Sequence, residues 1–180
     1  MKRLLFLLIT ILLGMNVSFA SDKESKKNAE NMALYEQAVK AVKEKKFVVK
    51  YHTTDVKEYH YEPAVRKRLN SLTNFLVVDG NTTLSQYDNG RRIYGFNSVG
   101  TPNYHTPKAK EGKVSDVSVQ IDAKGKVTCI LSYNSNPEIT EITFKKGSNE
   151  CTIVVKSKGI KRYSWGTIHP IGATEIRRAS

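Results

Sequence analysis

The chain is 180 residues long, with 29 Lys and Arg against 17 Asp and Glu and a formal charge of +12 at neutral pH. That length suits one domain, and the sequence holds no internal repeats or low-complexity tracts, which excludes a repeat array. Its lysines are scattered along the chain, the pattern of a solvated basic surface rather than of a single charged tract.

Lys2 and Arg3 precede an apolar run from Leu4 to Leu13, and Ser18-Phe19-Ala20 stands just before the polar Ser21-Asp22-Lys23-Glu24. A positive start, an apolar core and small residues at the minus-three and minus-one positions predict a signal peptide over 1–20. A membrane anchor is the alternative, but a span needs roughly 20 apolar residues and this run is interrupted at Gly14 and Asn16. No Cys lies near the cleavage point to accept a lipid. Loss of Lys2 and Arg3 leaves 27 basic against 17 acidic side chains, a formal +10. On an exported protein that excess favours an anionic envelope lipid or glycan, or an acidic partner, over nucleic acid. The expected location is the periplasm or the extracellular space.

Residues 21–27 form a polar leader. A single domain is expected over 28–171 and a flexible tail over 172–180. Met32, Tyr35, Val39 and Val42, with Ala38 and Ala41, recur at helical spacing and predict an amphipathic helix over 28–45. Its lysines 40, 43 and 45 would suit a membrane surface, but the small alanines and the lack of a large aromatic cluster favour packing on a sheet.

From Phe47 the period becomes two. Residues 75–78, Asp79-Gly80-Asn81 and residues 82–86 carry a hairpin signature, and so do Val117, Val119 and Ile121, then residues 122–125, then Val127, Cys129 and Leu131. Residues 140–145 and 151–156 continue the antiparallel pattern, and a last strand is expected over 163–168. Between Tyr87 and Val114 the alternation fails. Glycines, prolines and the bases Arg91, Arg92, Lys108, Lys110 and Lys113 mark a long loop or a pair of irregular edge strands, and the expected binding surface. The fold class is therefore mainly β with an N-terminal helix, its antiparallel sheet forming a sandwich or half-open barrel.

Two cysteines enter an oxidising compartment, which suggests a disulfide. In the meander, however, Cys129 and Cys151 flank one strand, both level with Thr143 or Phe144. Two strand spacings put them roughly 9.6 Å apart, beyond the about 7 Å that a disulfide allows. Two separate buried thiols are expected, with no disulfide and no metal held by this pair.

Three stretches carry a family resemblance: the helix running into Phe47-Val48-Val49, the hairpin Ser71-Leu72-Thr73-Asn74-Phe75-Leu76-Val77-Val78-Asp79-Gly80 closing at Gln86, and Ile142-Thr143-Phe144-Lys145-Lys146-Gly147-Ser148-Asn149 running into Cys151. With Arg162-Tyr163-Ser164-Trp165-Gly166-Thr167-Ile168 as the closing strand, the chain resembles the exported bacterial family catalogued as domain of unknown function 4251. The resemblance implies secretion by Bacteroidetes-type bacteria and a helix followed by antiparallel strands. It implies no activity, so no catalytic residue is carried over. The sequence departs from that family in the middle, where Gly90-Arg91-Arg92-Ile93-Tyr94-Gly95 and residues 104–113 are basic rather than glycine-rich.

No nucleophile elbow, HExxH pair or phosphate-cradling loop is present. Within Tyr51-His52, Asp55 and Tyr59-His60-Tyr61, a tight reversal would bring His52, His60 and Asp55 together as acceptable metal ligands, but the spacing is no recognised signature and strand-end histidines are the simpler reading. Trp165 suits a core or lid position better than a sugar platform. The candidate binding residues are Arg91, Arg92, Tyr94, Tyr104, Lys108 and Trp165, with no catalytic residue, metal or cofactor expected. The reading is a non-enzymatic ligand-binding or interaction module whose cavity would take an apolar small molecule. An envelope-associated structural protein and a small hydrolase are the alternatives.

Overall fold

The computed structural model describes residues 2–56, 63–87, 108–133 and 138–178, with side chains described from Lys23 onward. It opens with helix α1 (Lys2–Lys43), so residues 21–27 continue the helix. The helix stops two residues short of the expected Lys45. Lys45 adopts φ 56° and its N–H donates to Val42 O at 3.1 Å, a left-handed turn that ends a helix and redirects the chain.

Nine strands follow: β1 (Lys46–Val56), β2 (Val65–Arg68), β3 (Phe75–Asp79), β4 (Thr82–Gln86), β5 (Lys110–Ile121), β6 (Val127–Tyr133), β7 (Glu138–Phe144), β8 (Glu150–Ser157) and β9 (Ile160–Pro170). From β3 onward each pairs antiparallel with the next, and β3 and β9 both pair with β1. Eight strands thus close into a barrel. β2 is an extra strand beside the far half of β1, pairing with Thr53 to Val56 while β3 pairs with Lys46 to Lys50. The expected mainly antiparallel β fold with an N-terminal helix is what the structure shows, and the sheet completes the circle rather than remaining half open.

Two β-bulges explain where strand boundaries escaped the sequence pattern. In β5 a register shift between Val114 and Asp116 reverses the alternation. Lys110, Gly112 and Val114 therefore run in phase with one another but out of phase with Val117 and Val119. Of the long loop or irregular edge strands expected up to Val114, the structure shows a strand beginning at Lys110, with Ser85 opposite Lys110 and Thr83 opposite Gly112. A second shift, between Tyr51 and Thr53, bends β1 where it meets β9. There Gly166 lies so close to β1 that a Cβ would sit 2.0 Å from Lys50 O. β9 itself begins at Ile160, paired with Ser157, ahead of the expected Tyr163, because Lys161 and Arg162 hid its first residues from a reading of apolar alternation.

The interior is built from alternate residues of every barrel strand. Phe47, Val49, Leu76, Val78, Val127, Leu131, Ile142, Phe144, Ile153 and Ile168 form one apolar cluster with Tyr35, Ala38, Ala41 and Val42 of α1. The helix closes the end of the barrel that carries the β3–β4, β5–β6 and β7–β8 turns. Tyr35 Oη donates to Gly125 O at 2.8 Å, and its ring meets Phe144 edge-on at 5.9 Å. These contacts require the close packing that the alanines of the stripe provide.

Outside the barrel, Val48 and Phe75 are also buried. The segment after β9, expected to be a flexible tail, crosses this patch. Arg177 N–H donates to Leu72 O at 2.7 Å, Gln86 Nε2 donates to Arg177 O at 3.3 Å, and Lys50 Nζ donates to Thr174 Oγ1 at 3.0 Å. Cys129 and Cys151 are free and buried. Cys151 is level with Phe144 as expected, whereas Cys129 lies opposite Ile142, two residues along the strand.

Candidate functional site

At the end opposite α1 the same inward alternation carries polar residues. Lys110 lies opposite Ser85, Glu138 opposite Ser157, and Arg162 opposite Val155. Each continues the phase of buried neighbours on its own strand: Thr140 and Ile142 after Glu138, Ser164 and Ile168 after Arg162. Here they surround a cavity of about 370 Å³, whose wall also includes Tyr51, Leu76, Tyr87, Lys108, Tyr133, Val155 and Ser164.

One wall is a group of joined hydroxyls. Tyr87 Oη donates to Thr54 Oγ1 at 2.5 Å and lies 3.1 Å from Ser164 Oγ. Thr54 Oγ1 in turn donates to Tyr163 O at 3.1 Å, which fixes the direction of the chain. The Tyr51 ring meets Tyr87 edge-on with centroids 5.0 Å apart. Burial, reinforced by Tyr133 and Tyr87, raises the Tyr51 phenol far above its usual range, with Arg162 pulling weakly the other way. Burial likewise raises Tyr133. Both phenols therefore keep their protons and serve as neutral donors.

Three cations, Lys108, Lys110 and Arg162, face this space, against Glu138 as the one carboxylate among its described lining residues. Arg162 Nη2 stands 4.0 Å from Glu138 Oε2, a loose pair with both side chains part-exposed. The described lining contains neither His nor Cys. The arrangement can hold a ligand through charge, phenol donors and the apolar walls of Leu76 and Val155.

Of the expected binding residues, Lys108 lines this mouth, while Arg91, Arg92, Tyr94 and Tyr104 lie outside the described residues. Trp165 belongs elsewhere. It stands on the outer face of β9, with the Arg66 guanidinium 3.7 Å from its ring centroid. There it borders a groove of about 570 Å³ shared with His52, Thr143, Glu150, Thr152 and Thr167. Lys108 and Trp165 thus serve different surfaces. His52 and Asp55 also part company: His52 Nε2 lies 3.0 Å from Thr167 Oγ1, whereas Asp55 accepts from Arg66 Nε at 3.2 Å. His60 is outside the described residues. His169 Nε2 lies 2.9 Å from the same Thr167 hydroxyl.

Sequence reasoning missed Tyr51, Lys110, Glu138 and Arg162 as a group. The signal for Arg162 and Glu138 was a charge in phase with an apolar strand face. The bulge in β5 removed that signal for Lys110.

Fold and site together define an eight-stranded antiparallel barrel, closed at one end by a helix and carrying at the other, among the described residues, a polar, cationic mouth. A solved structure with this architecture is a DUF4251 family protein from Bacteroides eggerthii, known from a crystal structure at 1.95 Å resolution. It is similar to this chain with a TM-score of 0.59 and 21% sequence identity, over 82% of this chain and 94% of that one. The shared fold agrees with the family resemblance carried by the helix, the hairpins and the closing strand. No family model matches the chain, and no curated protein matches it.

Proposed function

We propose that this protein is an exported, non-enzymatic binding module that holds a small molecule in the mouth of its barrel opposite α1. One observation carries the reading: inward strand positions that would ordinarily be apolar hold Lys110, Glu138 and Arg162 around a cavity of about 370 Å³. Lys110 and Arg162 are exposed at this rim and Glu138 is half-buried, so their charges stay hydrated in the free protein and are available to a ligand entering the cavity. Export rests on the leading segment 1–20, and the proposed location is the periplasm or beyond. Native mass spectrometry of the protein purified from its own periplasm, compared with the denatured mass, tests both. A chain starting at Ser21 and carrying an extra mass lost on denaturation is the expected result. A start at Met1 refutes export, and a bare chain that takes up no small molecule on incubation with periplasmic extract refutes the binding reading.

A second reading is favoured by the outer groove. Trp165 beside the hydroxyls of Thr143, Thr152 and Thr167 and the lysines 126 and 145 suits an anionic envelope glycan. Trp165→Ala should then release the protein from isolated envelopes, and unchanged retention would remove this reading.

A further inference from the structure

The mouth has a chemistry more specific than a generic cavity, and we propose that its ligand is a small organic acid whose anionic group seats between Arg162 and Lys110 and whose apolar body lies against Leu76 and Val155. This rests on the binding-module reading and narrows it. Three observations support it independently of one another.

The first is charge. Lys108, Lys110 and Arg162 stand against Glu138 alone among the described lining residues, and the 4.0 Å separation of Arg162 from Glu138 is too long for the forked hydrogen bonding that a guanidinium makes to a carboxylate. The second is Tyr51. Its side chain is only 6% exposed, yet its hydroxyl has no hydrogen-bond partner among the described residues while bordering the cavity. The hydroxyl is not sealed off from that space. That donor is free to pair with whatever fills the cavity, water or an accepting ligand group. The third is the division of the wall. Cations, the phenol and the Tyr87 and Ser164 hydroxyls contribute polarity, while Leu76, Val155 and the tyrosine rings contribute an apolar surface. A molecule with an acidic head and a hydrophobic body matches both parts, and the volume is at the small end of the usual range for such ligands.

The test uses two fluorescent probes that share a ring system and differ in charge: anilinonaphthalene sulfonate and its uncharged parent, phenylnaphthylamine. Titrated into the purified protein, the sulfonate should bind at one site per chain and at least about tenfold more tightly than the neutral probe. Arg162→Met should weaken the sulfonate about tenfold and leave the neutral probe unchanged, with Arg162→Lys recovering part of the loss. Tyr51→Phe should weaken the sulfonate severalfold, with circular dichroism confirming that each variant is folded. Equal binding of both probes, or indifference of the sulfonate to Arg162→Met in a folded variant, overturns the organic-acid assignment while leaving a ligand-binding barrel standing. Failure of both probes to bind overturns the two together.

Discussion

Gly166→Ala tests whether the barrel is closed. Gly166 lies opposite Tyr51 of β1 and Cys151 of β8. A Cβ built there would stand 2.0 Å from Lys50 O, 2.9 Å from Lys50 C and 3.3 Å from Tyr51 Cα. All three neighbours are backbone, so no side-chain rotation relieves the contact. The β1–β9 seam must open by roughly 1 Å to restore an ordinary carbon–oxygen contact. Overpacking of this kind costs about 1–3 kcal/mol, and weakening one neighbouring ladder hydrogen bond adds about 1 kcal/mol. The expected loss is therefore about 3 kcal/mol, or roughly 6–12 °C in Tm for a chain of this size. Gly112→Ala is the control. Its Cβ would meet Thr83 Oγ1 at 2.8 Å, a side-chain atom that can turn aside for about 1 kcal/mol or less. Urea unfolding followed by circular dichroism measures both. A Gly166→Ala protein within about 0.5 kcal/mol of wild type would mean that β9 does not press against β1, and the closed barrel would be wrong.

Tyr35→Phe removes the hydrogen bond to Gly125 O that ties α1 to the β5–β6 turn, and should cost about 1 kcal/mol in the same unfolding assay; no change would detach the helix from that turn. His52 and His169 are both lowered below the ordinary histidine range, by burial first and by Lys50 next, with Glu150 opposing for His52 and His52 itself adding for His169. The unfolded chain therefore takes up protons first, so their contribution to stability is present above about pH 6.5 and declines as pH falls below it. A Tm profile from about pH 8 to about pH 5 should show a decline that the paired variant His52→Gln, His169→Gln reduces, and an identical profile in that variant would assign the decline to other groups. Burial pushes the Cys129 thiol up to about 12 and raises Cys151 as well, so neither should react with iodoacetamide in the native protein near pH 8, while both react after unfolding without reductant. Rapid native labelling would contradict the burial of these thiols.

What could be read from the sequence was what neighbouring residues decide among themselves. The stripe of Tyr35, Ala38 and Val42, the Asp79-Gly80-Asn81 turn and the alternation of Val127, Cys129 and Leu131 are set by backbone geometry over a few positions, and each stands where it was expected. Tertiary structure decided the rest. Closure depends on β1 meeting β9, two strands more than a hundred residues apart in sequence, and a period of two says which residues share a face without saying which strand completes the circle. The bulges at Tyr51 and Val114 invert that period, which concealed the first turn of β5 and with it the inward position of Lys110. The candidate site follows the same rule: Tyr51, Lys110, Glu138 and Arg162 come from four strands, and only the shear and closure of the barrel bring their side chains to one mouth.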